Sequence, residues 1–176
     1  MREAIILAGG LGTRLRDAVP DLPKCMAPVN GKPFIAYLVN NLLRQGITRF
    51  VFALGYKSEI ITAYITKNYP GIDAVFSIEQ QPLGTGGAIS LALHKALSQH
   101  VLILNGDTFF DIDTKSLFEF HRSMQADCTL ALKRMYEISR YGTVVINGKQ
   151  RIVEFLEKKY CDTGLINGGI YIVNCD

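Results

Sequence analysis

A chain of 176 residues, 48% hydrophobic and 20% charged, has the length and apolar content of one globular domain. That balance excludes disorder and collagen-like or linker sequence, and no apolar run nears the roughly 20 residues of a membrane helix. A net charge of +3, from 19 basic and 16 acidic residues, is not the basic stripe of a nucleic-acid binder.

In chain order, the first run, residues 3–8, reads as a strand buried on both faces. It is too short for a secretory leader, so a cytoplasmic protein is expected. A glycine-rich turn and a proline-rich stretch follow. Residues 33–45 then read as a helix, with Pro33 in its first turn, Gly46 past its end and an apolar stripe of Ile35, Leu38, Val39 and Leu42. Residues 48–54 form a second strand. A helix over 57–68 carries Ile61, Tyr64 and Ile65 on one face. A strand at 72–78, a helix at 84–97, a strand at 100–105 and a helix at 114–124 complete this alternation.

From there strands dominate, at 127–134, 142–146, 151–155 and 167–173, with Asn147-Gly148 as a two-residue hairpin signal. The fold class expected is therefore α/β. A mostly parallel, Rossmann-like sheet is flanked by helices on both faces and followed by a strand-rich half. Ligands of such sheets lie beyond the carboxyl ends of the strands, at residues 8–14, 54–57, 79–87 and 105–107.

The four cysteines (Cys25, Cys128, Cys161, Cys175) are far apart, with no C-x-x-C pair, so neither a zinc site nor a disulfide framework is indicated. The histidines His94, His100 and His121 lack metal-binding spacing and read as structural or exposed. Gly9-Gly10-Leu11-Gly12-Thr13-Arg14 follows the first strand directly. It is neither the dinucleotide fingerprint nor a P-loop, yet its glycines can present N–H donors to phosphate or a base edge. Arg14 adds a planar, permanently charged fork. Lys24 sits among Pro20, Pro23, Pro28 and Pro33, whose fixed backbone would aim its point charge.

Leu7-Ala8-Gly9-Gly10-Leu11-Gly12-Thr13-Arg14-Leu15 followed by Pro23-Lys24 closely resembles the signature of sugar-1-phosphate nucleotidyltransferases. Pro82-Leu83-Gly84-Thr85-Gly86-Gly87-Ala88 is similar to the base-binding loop of the guanylyltransferase branch, and Asn105-Gly106-Asp107 to the family's metal motif. Arg140-Tyr141-Gly142, Phe155-Leu156-Glu157-Lys158 and Asn167-Gly168-Gly169-Ile170-Tyr171 resemble its sugar-phosphate region. Within the family the resemblance is nearest to enzymes acting on heptose 1-phosphate, then mannose 1-phosphate.

The resemblance implies an enzyme joining a sugar 1-phosphate to a nucleoside triphosphate, with GTP favoured and Mg²⁺ as cofactor. Arg14, Lys24 and Asp107 would be catalytic, with Asp107 holding the metal. Ala8, Gly9, Gly10, Gly12, Thr13, Arg14, Gln81 and Gly86 would bind the nucleotide. Gly142, Glu157, Lys158 and Asn167 would bind the sugar phosphate. Asp111 and Asp113 read as caps of the following helix.

Guanine's N–H donors suit a carboxylate or amide oxygen, which makes Glu79, Gln80 and Gln81 candidates for reading the base. Gln81 would serve thymine or cytosine as well. A thymidylyl- or cytidylyltransferase on glucose 1-phosphate is thus the second expectation, and a non-catalytic nucleotide-sensing subunit the third. Neither nucleic acid nor membrane is expected as a partner, and a homo-oligomer stays open.

Two departures from the pattern stand out. Cys25 occupies a position where the family often has proline. The family's second metal-binding aspartate, in a W-x-D-x-G-like setting downstream, has no counterpart before Val173-Asn174-Cys175-Asp176. The expectation is one domain over 1–176 that lacks the family's C-terminal segment.

Overall fold

The computed structural model describes residues 2–10 and 21–175. The predicted alternation is present, with strands β1 (Glu3–Leu7), β4 (Arg49–Leu54), β5 (Asp73–Ile78) and β6 (His100–Asn105) linked through helices α1 (Phe34–Arg44), α2 (Ser58–Asn68) and α3 (Gly84–Leu93). Ahead of α1 lies a small hairpin of β2 (Pro28–Val29) and β3 (Lys32–Pro33), which the proline-rich sequence concealed. Helix α4 (Thr114–Ser123) leads into β7 (Cys128–Ile138), β8 (Thr143–Ile146), β9 (Ile152–Leu156) and the long β10 (Cys161–Asn174).

The parallel part of the sheet runs β5-β4-β1-β6. Strand β10 adds antiparallel to β6, and β7 and β8 add antiparallel to β10. Because the chain passes from β1 outward through β4 and β5 and then returns to the far side of β1, the β1/β6 boundary is the topological switch point.

Strand periodicity sorts the core into two layers. Ala4, Ile6, Phe50, Phe52, Leu54, Leu102 and Leu104 face α1 and α2, whose Ile35, Val39, Leu42, Ile61 and Ile65 are buried against them. The α1 stripe read from the sequence is thus the buried one. The alternate residues Ile5, Val51, Ala53, Val101 and Ile103 face α3 through Ala92, Ile89 and Leu93. Phe50, Phe52 and Phe76 stack in a row, with ring centres 6.0 and 5.7 Å apart.

Several boundaries differ from expectation, among them β7, which runs on to Ile138, four residues past its expected end. Helix α3 stops at Leu93, and short turns follow in which the Lys95 and Ala96 N–H groups donate to Ala92 and Leu93. The β8–β9 hairpin forms, but around a longer loop. The Gln150 N–H donates to Asn147 O, Gln150 adopts a left-handed backbone, and the Asn147 carboxamide accepts from Lys149 and Arg151 N–H. That is a type I turn with a following left-handed residue, a longer closure than the two-residue type. Strand β10 begins six residues earlier than expected and carries a bulge between Asn167 and Tyr171, where the Phe110 ring lies over Gly168.

At the amino ends of the strands the Glu3 carboxylate is buried. It accepts from Arg49 Nε at 2.8 Å and from the Leu97 and Ser98 N–H groups at 3.0 and 2.8 Å. Arg49 also pairs with Asp73 and donates to Lys95 O. A second polar cluster joins Asn174 to His100 and His121, with His121 also bonded to Thr129. Both histidines are structural, as the sequence indicated. Among the described residues no helix is long and apolar enough to cross a membrane.

Candidate active site

Beyond the carboxyl ends of β1, β4, β5 and β6 lies a cleft of about 800 Å³. Its lining includes Ala8, Gly9 and Gly10 after β1, Gly55 and Tyr56 after β4, Glu79, Gln80 and Gln81 after β5, and Asn105, Gly106 and Asp107 after β6. Gly84, Thr85 and Ala88 of the first turns of α3 close one side, so the positive end of that helix faces the cleft. The described parts of the four stretches singled out from the sequence therefore meet in one place.

Lys24 reaches this place from outside the sheet. It opens a 3-10 turn (Lys24–Met26) whose next two residues, Cys25 and Met26, are buried in the core. The segment is pinned further by Phe34 N–H donating to Ala27 O, and by Lys57 Nζ donating to Asp21 O at 2.8 Å. The prolines set the backbone, but the anchoring comes from these buried neighbours. Lys24 Nζ lies 2.6 Å from Asp107 Oδ2, and both side chains are more than a third exposed. A pair so open to water is worth at most about 1 kcal/mol. It is easily exchanged for phosphate.

Asp107 owes its position to the residue before it. The Gly106 N–H donates to Leu7 O at 2.8 Å, and a Cβ at Gly106 would stand 2.7 Å from that same oxygen and 3.2 Å from the Ala8 Cβ. The end of β6 can hug β1 this closely with glycine alone. Gly106→Ala is expected to cost about 1–3 kcal/mol in unfolding free energy by overpacking. It should also lower turnover more than that loss of folded protein explains, because Asp107 moves. Denaturant unfolding and steady-state rates on the same preparation check both.

Cys25, which the sequence left without a role, forms part of the cleft wall. Burial, with a smaller contribution from nearby Asp107, pushes its thiol up to about 12, against a lowering backbone hydrogen bond. It is therefore neutral and poorly nucleophilic at physiological pH. With native protein at pH 8, iodoacetamide should spare Cys25 and label Cys128, which is exposed, though slowly, because partial burial and Asp127 push that thiol up as well. Peptide mass mapping reads the outcome.

Other expected site residues are distributed as follows. Gly12, Thr13 and Arg14 lie outside the described residues. Gly86 sits on the exposed first turn of α3, next to the lining but not in it. Gly142, Glu157, Lys158 and Asn167 belong to the antiparallel half and do not line the cleft. A Cβ on Gly142 would stand 2.7 Å from Leu156 O, while Glu157 and Lys158 are exposed just past β9. Asn167 Nδ2 donates to the Tyr171 hydroxyl, and its Oδ1 accepts from the Gly169 N–H. Asp113 caps α4, as expected. The Ser116 hydroxyl and the Lys115 N–H bond its carboxylate and hold it below the ordinary carboxylate range. Gly55 fell within the ligand-facing stretch 54–57 but was given no role of its own, although a glycine directly after the apolar run Phe50–Leu54 was the available signal.

Two carboxylates, Asp107 and Glu79, line the cleft, and among the described residues no three His, Cys, Asp or Glu side chains converge as a metal cage. The two stand three strands apart, so Asp107 alone is offered to a metal, which fits Mg²⁺, an ion that can take a single carboxylate and complete its octahedron with substrate phosphate and water. Glycine backbone, a helix start, a partly exposed ammonium and a carboxylate together suit an anionic, phosphate-bearing ligand.

Residues 3–176 match the family described as nucleotidyl transferase. A D-glycero-alpha-D-manno-heptose 1-phosphate guanylyltransferase of Aneurinibacillus thermoaerophilus is 52% identical over 98% of this chain and 74% of its own length. A mannose-1-phosphate guanylyltransferase of Mycobacterium tuberculosis is 35% identical over 97% of this chain and 48% of its own. The crystal structure of HddC from Yersinia pseudotuberculosis complexed with GMP-PN superposes with a TM-score of 0.88 at 36% identity, covering 99% of this chain and 77% of that one.

Proposed function

The chain belongs to the nucleotidyl transferase family, and from that premise we propose that it joins a sugar 1-phosphate to GTP, giving a GDP-sugar and pyrophosphate. The relatives described above are guanylyltransferases of heptose 1-phosphate and mannose 1-phosphate, so a sugar phosphate of that type is the second substrate. The observation that carries the reading is an ammonium and a carboxylate side by side at the switch point, within a cleft of glycine backbone.

In the reaction an oxygen of the sugar phosphate attacks the α-phosphorus. The bond from that phosphorus to the bridging oxygen breaks, and pyrophosphate leaves with the electron pair. A phosphate monoester with a second pKa near ~6 is largely dianionic at neutral pH, so no general base is needed. The work left to the protein is in-line positioning and neutralisation of charge. Lys24 leaves Asp107 for the triphosphate and follows the charge that builds on the departing pyrophosphate, a task the family resemblance also gives to Arg14. The N–H groups of Gly9 and Gly10 and the start of α3 hold the nucleotide. Asp107 would hold Mg²⁺, which, when bound, screens the phosphate oxygens and polarises the α-phosphorus. Lys158 would take the sugar phosphate, with Glu157, Asn167 and the Gly142 backbone on the sugar. The exposure of Glu157, Lys158 and Asn167 supports a ligand-facing role. Among the described residues the cysteines form no disulfide, which supports work in the reducing cytoplasm.

The test is pyrophosphate release with GTP, dTTP, CTP and ATP, each against heptose, mannose and glucose 1-phosphates. Release with GTP and a heptose or mannose phosphate is expected. No release with any pair would overturn the reading.

A further inference from the structure

Lys57, the residue just before α2, holds a left-handed backbone with φ of 50°. Glycine and asparagine enter that conformation readily, whereas a long side chain does so at a cost in backbone energy. No side-chain cap at the start of the helix offsets it. What the conformation secures is the position of the ammonium. Lys57 Nζ donates to Asp21 O at 2.8 Å and stands 5.4 Å from the centre of the Tyr56 ring. The Asp21 carboxylate is 3.9 Å away and 95% exposed, so the partner that matters is the main-chain carbonyl. A charge-assisted bond to that oxygen fixes the course of the chain itself.

The carbonyl so held begins the approach to Lys24. From Asp21 the chain passes through Leu22, packed on the core, and through Pro23, whose ring sets its φ near −57°, into the turn that Lys24 opens. On the far side of Lys24, Cys25 and Met26 are buried and the Phe34 N–H holds Ala27 O. The loop after β4 also grips the glycine backbone. The Tyr56 N–H donates to Gly9 O at 3.4 Å, and a Cβ on Gly55 would stand 2.9 Å from that oxygen. Residues 55–57 therefore hold Gly9 through main chain and the approach to Lys24 through Lys57. Tyr56 lines the cleft, but Lys57 is not among the residues that do.

We infer that Lys57 is a positioning residue for the transfer step: its ammonium holds Asp21 O so that Lys24 stands in register with the backbone of Gly9. This assignment rests on the nucleotidyl-transfer reading above and adds to it a group that never touches substrate. An in-line displacement tolerates little misalignment, and a shift of about 1 Å can cost roughly 10²-fold in rate. Without the Lys57 ammonium the turn keeps the anchors that follow Lys24 and loses the one that precedes it. The fold is then unharmed, while Lys24 gains freedom at the point where its aim matters.

A double-mutant cycle with Lys24→Ala tests the assignment. Lys57→Met removes the ammonium and keeps an unbranched stem. Pyrophosphate release is followed at saturating GTP with whichever of heptose and mannose 1-phosphate is turned over. Turnover should fall about 10-fold in Lys57→Met. The same substitution made in Lys24→Ala should change the rate by less than about twofold, because the group it positions is already gone. Lys57→Arg, which keeps a charged donor for the carbonyl, should recover most of the rate that Lys57→Met loses. If the double variant is too slow to follow, the cycle is read on equilibrium affinity for GTP, with the same contrast between backgrounds expected. Turnover of Lys57→Met within about twofold of wild type, or an equal fall in both backgrounds, overturns the role of Lys57 while leaving GTP use intact. Absence of pyrophosphate release by wild type with every substrate pair overturns the nucleotidyl-transfer reading, and this assignment with it.

Discussion

Lys24→Ala is expected to lower turnover by about 10²-fold or more while leaving unfolding free energy within roughly 0.5 kcal/mol of wild type. The stability half follows from exposure, since the pair with Asp107 is open to water and contributes little to folding. The rate half follows from charge. Charge builds on the leaving pyrophosphate as the bond to the α-phosphorus breaks, and a pre-aimed ammonium there is worth several kcal/mol in the transition state. The 3-10 turn that presents it is anchored by Cys25 and Met26, so the rest of the turn should stay in place. Steady-state pyrophosphate release, paired with denaturant unfolding, separates the two effects. Turnover within threefold of wild type would remove Lys24 from the mechanism. Asp107→Asn should lose the saturable response to Mg²⁺ together with activity, and a variant that kept that response would point to a different ligand.

Glu3→Ala should act in the opposite way, costing about 3–5 kcal/mol of stability. The carboxylate is 1% exposed and gathers the Arg49 guanidinium and two backbone N–H groups. Truncation leaves those N–H groups of Leu97 and Ser98 without their acceptor and unties β1 from β4. Arg49 keeps Asp73 and Lys95 O, so the guanidinium is not wholly stranded. Thermal or urea unfolding measures the loss. Activity per folded molecule should stay near wild type, since this cluster sits at the strand ends away from the cleft. A shift below 1 kcal/mol would show that water replaces the carboxylate at little cost.

The parallel half of the fold was legible because each buried strand is a short apolar run, and α1 carries a clean stripe. What escaped was set by contacts distant in sequence. The first half of β10 was hidden because Asp162, Thr163 and Gly164 interrupt its apolar character. Gly164 makes sense once Thr143 is seen against it, where a Cβ would stand 2.9 Å from the threonine methyl. The proline-rich stretch concealed a hairpin, since two-residue strands leave no periodicity to read. The site was legible as loops rather than as contacts. Residue positions put Asp107 in a ligand-facing stretch and the signature brought in Lys24, but a separation of 83 residues gave no hint of an ion pair. Glu3, Arg49 and Ser98 were equally unreadable as a cluster, since nothing local links a carboxylate to N–H groups more than 90 positions away.

The strands of the parallel sheet are five or six residues long, with the Glu3–Arg49 clamp at one end and the reactive loops at the other. That is roughly 16 Å of rigid ladder between what holds the domain shut and what gives it chemistry. Free-energy changes at groups so far apart are close to additive. Reinforcing the clamp therefore supplies a reserve that risky remodelling of the loops can draw down, and a laboratory seeking altered sugar or base choice would do well to begin from a chain strengthened at the end that never meets substrate.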